Sequence, residues 1–336
     1  MNPRVSICIA NYNGIGLIDA CIESVRQQYG DAPVEIIVHD DASTDGSAPH
    51  IRNAHPGVQL IESTENVGFC VANNRMAAAA RGEYLLLLNN DAELMPDALQ
   101  TLLAASEEIG RPAILTPPQF DHETGELIDR GCLLDPFFNP IPNVDPERHD
   151  VAMVMGACLW IPRSLWEELG GFPEWFGSIA EDMYLCCYAR LAGYPVKALA
   201  TSGYRHHVGA SFGGGKVRDG GLATTYQRRA LSERNKTFVM ATVMPGWLLA
   251  LFLPAHFVLL LMEGIALSLL SKSWTPLSEI YLPIPKWLIT KRGDILRTRQ
   301  HIAHRRSAAT RDFLTAFVWK LHKATLLLQH GIPVIR

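Results

Sequence analysis

No Cys-x-x-Cys pair occurs in the 336 residues, and the seven cysteines (Cys8, Cys21, Cys70, Cys132, Cys158, Cys186, Cys187) are odd in number and set within apolar runs. Such spacing indicates neither a disulfide framework nor a zinc site and suits reduced packing residues. No G-x-G-x-x-G follows the first apolar run, so a dinucleotide dehydrogenase lacks its fingerprint here. The nearest approach to a phosphate loop, Gly213-Gly214-Gly215-Lys216, has Ala210 in place of its first glycine and Val217 in place of Ser or Thr, which removes the P-loop reading and leaves a mobile loop. There is no internal repeat and no low-complexity tract. The opening MNPRVSICIA turns polar at Asn11, too soon for a secretory leader, so the expected compartment of the catalytic part is the cytosol.

What is present is a strand and helix alternation. Val5–Ala10, Val34–His39, Val58–Ile61 and Tyr84–Leu88 are short apolar runs that read as buried strands. Helical patterns lie between them, one running to about Gln28, one capped within Ser43–Ser47 and one over Val67–Ala80. This order predicts an α/β fold with a mostly parallel sheet flanked by helices. Residues 117–150 are rich in Pro, Asp and Asn and are expected to form a long functional excursion over the ligand edge of the sheet. Val151–Ile161 is expected as a further strand, Ser164–Leu169 and Ala180–Leu191 as helices, and Val196–Ala200 as the last strand.

Charge is unevenly spread behind a net value of -4. Thr237 to Leu270 holds one formal charge, Glu263, whereas Lys286 to Lys323 holds ten Lys or Arg against Asp294 and Asp312. The apolar stretch is long enough to span a bilayer, although Pro254, His256 and Glu263 are costly there. An in-plane or re-entrant element beside anionic headgroups fits the basic flank equally well. A buried helical pair is the third reading. Nucleic-acid binding by the basic run is disfavoured by its Pro-rich flanks and apolar neighbours. The chain is accordingly divided into a catalytic domain, 1–236, and a hydrophobic then basic helical extension, 237–336, that associates with a membrane.

Two apolar strands end on acids. Tyr84 to Asp91 reads YLLLLNND, and Val34 to His39 runs into Asp40-Asp41. Polar residues at the ends of parallel strands occupy the ligand edge of open α/β sheets. Asn89 and Asp91 can offer oxygens to Mg²⁺, which shares its shell with phosphates; the competing reading is an ordinary Asn-Asp turn. Glu181-Asp182 opens a helix behind Phe172, Trp175 and Phe176. Both acids can serve the helix N-terminus, or one can be a general base whose proton affinity is raised by partial burial. His206-His207 follows the last strand, and an imidazole can complete a cation shell begun by Asp91.

Taken in order, Asn11-Tyr12-Asn13-Gly14, DDASTDGS from Asp40, ENVGFCVANN from Glu65, RGEYLLLLNND from Arg81, GGF from Gly170, the Glu181-Asp182 pair and HHVGAS from His206 resemble the family 2 glycosyltransferases. Within that family they most resemble the rhamnosyltransferase-like branch of bacterial surface polysaccharide synthesis. The resemblance covers roughly residues 3–240. It implies a GT-A fold and inverting transfer from a nucleotide-diphosphate sugar, rhamnose being a candidate, to a hydroxyl of a glycan or lipid-linked acceptor. Carried over, Asn11, Asp40 and Asp41 hold the nucleoside, and Asn66, Gly68 and Asn73 line the donor cleft. Asn89, Asn90 and Asp91 stand for the D-x-D motif, with Asp91 and His206 as the ligands of Mg²⁺ or Mn²⁺. Asp182 is the base and Glu181 its neighbour in the same motif. Departures are Asn89 for the first Asp of D-x-D, Pro173 in G-G-F-D-E, and Tyr184 for a common acid after the Glu-Asp pair; the last two fall on the acceptor side. The implied location is cytoplasmic, peripheral or anchored at the inner face of the inner membrane. A sugar nucleotidyltransferase is the alternative enzyme, but Asn11 to Gly16 contains no Lys or Arg. A non-catalytic, membrane-attached assembly protein with a transferase fold is the other alternative.

Overall fold

The computed structural model describes residues 2–207, 214–218, 221–331 and 334–335. They fall into two compact units: residues 1–132, 142–190 and 194–207 make one, and 133–141, 191–193 and 208–336 the other.

The first unit is built by strand and helix alternation: β1 (Val5–Asn11), α1 (Ile18–Arg26), β2 (Val34–Asp40), α2 (Ser47–Ala54), β3 (Gln59–Glu62), α3 (Phe69–Ala79), β4 (Tyr84–Asn89), β5 (Ala92–Leu94) and α4 (Ala98–Ile109). Short strands β6 (Ile114–Thr116), β7 (Gln119–Asp121) and β8 (Leu127–Asp129) follow, then β9 (Cys132–Leu134) and β10 (Pro140–Pro142), most of whose residues belong to the second unit, before β11 (Cys158–Pro162) and α5 (Arg163–Leu169). Then come α6 (Glu181–Leu191), β12 (Val196–Ala198) and β13 (Tyr204–His206). The main sheet has the order β12-β6-β11-β4-β1-β2-β3. Its strands are parallel except β11, which is antiparallel to both neighbours.

Residues of β1 and β4 are apolar without alternation because both faces of these central strands are covered. Val5, Ile7 and Ile9 join Ile18, Ile22 and Val25 of α1 and Leu99, Leu102 and Leu103 of α4 in one buried cluster. Cys8, Leu85 and Leu87 are equally buried outside that cluster, and α3 packs on β1 and β2. A slip of one residue would exchange these two sets of side chains.

Three expectations change. Residues 117–150, expected as a long excursion over the ligand edge, carry strands of their own: β7 and β8 pair antiparallel, and β7 also joins β13 in a second sheet of order β5-β13-β7-β8. The turn between β7 and β8 is set by Asp121, whose Oδ1 accepts the amides of Glu123 and Thr124 at 2.9 and 3.0 Å, an Asx turn that periodicity alone does not announce. The strand read over 151–161 begins only at Cys158. The run Gly213–Lys216, read as a mobile loop, enters strand β14 (Gly214–Arg218), which pairs with β15 (Gly221–Thr224); Gly213 itself lies outside the described residues. Hairpin pairing satisfies backbone donors and acceptors that a loop leaves to water.

The second unit is mainly helical: α7 (Tyr226–Val243), α8 (Gly246–Ser271), α9 (Pro283–Thr290), α10 (Arg292–Arg305), α11 (Thr310–Leu314) and α12 (His322–His330), with β16 (Val334–Ile335) pairing β15. Helix α7 runs without interruption through positions 236 and 237.

Close backbone packing at the start of β4 makes a stability prediction. The amide of Gly82 donates to Ser6 Oγ at 2.9 Å, and a Cβ added there would lie 2.6 Å from the backbone nitrogen of Ser6. Gly82→Ala should lower the unfolding free energy by about 1–3 kcal/mol through overpacking, read as a lower denaturant midpoint at unchanged slope.

Candidate active site

Parallel register brings the polar strand ends to one edge. Asn11 of β1 is paired in register with Asp40 of β2, and Ala10 with Asn89 of β4. Asn11 Nδ2 donates to Asp40 Oδ2 at 2.8 Å, and Asn90 Nδ2 donates to Asn11 Oδ1 at 2.8 Å. Ser43 N donates to the other Asp40 oxygen at 3.0 Å. Chain passage beneath this trio requires glycine: a Cβ on Gly14 would sit 2.1 Å from Asn90 Nδ2 and 2.4 Å from Asn11 Oδ1. Asp41 faces the next helix, taking the amides of Val67 and Gly68 at 2.7 and 2.9 Å on its two oxygens. All of these acids and amides are buried, and each hydrogen bond offsets part of the desolvation that burial imposes.

Asp91 lies just past β4. Its Oδ1 accepts from His206 Nε2 at 3.0 Å, because β13 pairs antiparallel with β5 and sets His206 opposite Ala92. Behind the imidazole, Gln119 Nε2 is 3.0 Å from His206 Nδ1, and Tyr204 Oη donates to Gln119 Oε1 at 2.7 Å. This chain orients the ring with Nε2 against Asp91. Sequence reasoning missed Gln119; the signal was its position on a strand flanking His206, visible only once β7 and β13 are paired. Asp129, also missed, is buried, and desolvation pushes its carboxyl up to about 7 against the Gly131 amide and the positive field of His206. His207 turns elsewhere: its ring stacks on His122 at 3.6 Å, and His122 Nε2 bonds Glu93 Oε1 at 2.9 Å.

Glu181 and Asp182 open α6 and are both buried. Asp182 takes the amide of Gly156 on Oδ2 at 2.9 Å and that of Met183 on Oδ1 at 2.7 Å. Immediately before them Ile179 and Ala180 hold φ of 75° and 70°, two successive left-handed residues of types that rarely adopt it. Strain of this kind persists only where surrounding packing over-determines it. That packing is aromatic: Phe172 meets Phe69 and Trp166 at 6.1 and 4.8 Å, and Phe176 meets Tyr184 at 5.7 Å. The Gly177 carbonyl accepts from Cys70 N at 2.9 Å and Ser178 Oγ from Phe69 N at 3.2 Å, fastening this segment to the start of α3. Gly68 belongs to the same junction, with φ 85° and a notional Cβ 3.2 Å from Gly177 O. Burial raises both carboxyls above the ordinary range; for Glu181 the neighbouring Asp182 charge adds to it, and for Asp182 the amides of Gly156 and Met183 oppose it.

Not every predicted residue joins this edge. Asn66 is exposed in the loop before α3, and Asn73 is buried with Nδ2 donating to Phe69 O of its own helix at 2.9 Å. Asn89 takes part through its backbone, its carbonyl accepting from Cys21 Sγ at 3.3 Å. Gly209 and Ser211 of the HHVGAS motif lie outside the described residues.

A family model, glycosyl transferase family 2, matches residues 6–170. Among curated relatives, an uncharacterised protein of Mycobacterium tuberculosis is 32% identical over 106 residues, covering 32% of this chain and 33% of its own. The N-acetylglucosaminyl-diphospho-decaprenol L-rhamnosyltransferase of Mycobacterium tuberculosis is 26% identical over 211 residues, 54% of this chain and 69% of that protein. The chain spans 33% and 25% of the length of the first curated relatives it matches. Among solved structures, S. aureus TarS 1–349 in complex with UDP has a TM-score of 0.56 at 16% identity, over 90% of this chain and 88% of that one. GalNAc-T7 with UDP, GalNAc and Mn²⁺ has a TM-score of 0.66 at 14% identity, over 99% of this chain and 59% of that one. These likenesses show the fold, the mixed α/β architecture of GT-A enzymes with a helical C-terminal region.

The state of Glu181 generates a prediction. A carboxyl whose pKa is raised on folding keeps a proton that the unfolded chain releases, so its effect on stability becomes less favourable as pH rises above about 4.3, the ordinary Glu value. Glu181→Gln removes that term. The difference in Tm, variant minus wild type, should grow as pH rises above about 4.3; a difference independent of pH would show that Glu181 is not held protonated.

Proposed function

The chain belongs to glycosyl transferase family 2 through residues 6–170, and from that premise we propose that it transfers a sugar from a nucleotide-diphosphate sugar to a hydroxyl of a glycan or lipid-linked acceptor, inverting the anomeric centre. The observation that carries the reading is the convergence of Asn11, Asp40 and Asn90 with the Asp91–His206 pair at one sheet edge. We assign Asn11, Asp40 and Asp41 to the nucleoside and Asp91 with His206 to a divalent cation. The donor set fits: a buried carboxylate oxygen and an imidazole nitrogen 3.0 Å apart match adjacent corners of an octahedron with bonds of about 2.1 Å. When bound there, Mg²⁺ or Mn²⁺ would neutralise the charge of the departing diphosphate.

The remaining chemistry belongs to the chain. Asp182 accepts the proton of the acceptor hydroxyl as that oxygen bonds the anomeric carbon and the carbon–oxygen bond to the diphosphate breaks. A carboxylate with raised proton affinity suits that task, and burial supplies the shift. Glu181 precedes it in α6, where burial and the neighbouring Asp182 charge raise its carboxyl. Similarity to the rhamnosyltransferase of Mycobacterium tuberculosis supports rhamnose among the candidate sugars. The apolar helix α8 is long and apolar enough to cross a membrane and, with the basic residues that follow, supports attachment of the 237–336 segment to the cytoplasmic face of a membrane.

Measurements of donor binding and of turnover test the reading. A panel of nucleotide-diphosphate sugars screened by thermal shift should reveal one preferred donor, with the shift growing as the logarithm of its concentration and reduced by excess chelator. Absence of any donor shift in the presence of Mn²⁺ would overturn the assignment, and full turnover in excess chelator would remove the cation from it. Asp182→Asn should retain the donor shift while lowering kcat by about 10²–10⁴-fold. In the wild type, kcat should fall on acidification with an apparent pKa above about 3.9, the ordinary Asp value, because the charged base is lost as pH drops through the raised folded value; an acid limb at or below that value would contradict a buried base.

A further inference from the structure

Helix α8 separates its side chains by chemistry around its circumference. At 100° per residue, Trp247, Leu251, Val258, Met262, Ile265 and Leu269 fall within an arc of about 60°, and each is at least 38% exposed. The two polar groups expensive in hydrocarbon, His256 and Glu263, lie on the opposite side with buried Leu260 and Leu267. They are committed to protein. His256 Nε2 is 2.9 Å from Thr237 Oγ1 of α7. Glu263 pairs with Arg229 of α7 and, at 2.6 Å, with Lys323 of α12. Lys323 and Lys236 in turn hold Glu233 at 2.7 and 2.6 Å. Gly264 completes this side: a Cβ there would sit 2.7 Å from Leu277 and 2.8 Å from Tyr281, so the turn Pro276–Tyr281 lies against the helix.

The helix has 26 residues, about 39 Å at 1.5 Å per residue, and its covered side is engaged at His256, Glu263 and Gly264, in its middle part. Spanning a bilayer would therefore carry Arg229, Glu233, Lys236 and Lys323 into the hydrocarbon with it. Lying flat requires nothing of them. Exposed cations follow directly: Lys272 caps the helix, and Lys286, Arg292, Arg297, Arg305 and Arg311 are exposed on the helices and loops beyond. A second copy docked on the same stripe would bring two such basic segments together, ten Lys or Arg against two Asp in each. An anionic leaflet supplies the opposite charge. We propose that α8 lies in the plane of an anionic membrane surface, its Trp247-to-Leu269 stripe in the acyl boundary and its His256–Glu263 side on the protein. This rests on the membrane attachment proposed above and narrows it to one topology.

The test uses the full chain in sealed inside-out and right-side-out vesicles from expressing cells. Native cysteines are buried, so Gly246→Cys and Ser271→Cys report the two ends of α8 to a membrane-impermeant maleimide. Both should label from the same vesicle face, and added liposomes rich in phosphatidylglycerol should bind the purified chain at least tenfold more tightly than phosphatidylcholine liposomes, a preference lost in high salt. Val258→Glu should reduce binding tenfold or more while leaving the thermal midpoint in solution unchanged. Labelling of the two ends from opposite faces would overturn the in-plane topology while leaving attachment intact. A chain found wholly in the soluble fraction, or one that dimerises through the stripe without binding either liposome, would overturn attachment as well.

Discussion

The common height at which β1, β2 and β4 end sets the positions of Asp40, Asp41 and Asp91 at the candidate site. Because Asn11 registers with Asp40 and Ala10 with Asn89, three polar termini meet in one plane after runs whose side chains are sealed on both faces. Register in such strands is strongly specified, since a shift of one residue would trade two apolar packings at once. The acids inherit that precision. Their burial is tolerated because the neighbouring loops return donors to them: Ser43 to Asp40, Val67 and Gly68 to Asp41, His206 to Asp91. The strands place the charge and the loops make it affordable, and neither would suffice alone.

Two kinds of carboxylate environment result, and they divide the chemistry. Asp41 takes two backbone amides, and Asp91 lies against the His206 imidazole. Glu181 and Asp182 stand at a helix start packed with Phe172, Phe176 and Tyr184, where desolvation favours the proton. Separation of acids by surroundings rather than by type is how one fold assigns a charge holder and a proton acceptor at the same pH. The left-handed pair Ile179–Ala180 is the local cost of that second environment. It turns the chain so that α6 begins on the two acids, while the Gly177–Ser178 contacts with α3 keep the turn from relaxing.

Much of this was legible in the sequence because it is written in local pattern. The strands at Val5, Val34 and Tyr84 and the helices between them follow from apolar periodicity, and the strand-end acids from the abrupt change at Asp40 and Asn89. Asn11, Asp40 and Asn90, singled out through the family resemblance, are joined by hydrogen bonds, and His206, rather than His207, is the imidazole brought to Asp91. What stayed hidden depends on pairing between distant segments. Gln119 and Asp129 sit in a stretch that reads as loop, and only the alignment of β7 with β13 sets Gln119 behind His206. Asn73 illustrates the converse: its place in a recognisable motif says nothing of its bond back to Phe69 within its own helix.

The apolar helix α8 shows the same limit from the other side. Read along the chain, His256 and Glu263 are blemishes in a span, because hydropathy sums residues without regard to direction. Read around the axis, they are all on the side that carries partners, and the outward stripe contains no polar atom apart from the indole nitrogen of Trp247, a group suited to a membrane interface. Glu263 is then no defect. With Arg229 and Lys323 it forms an ion-pair junction between α7, α8 and α12, in which both cations also meet Glu233 of α7. The residues that make a span expensive are the ones that fix which face of the helix is left uncovered.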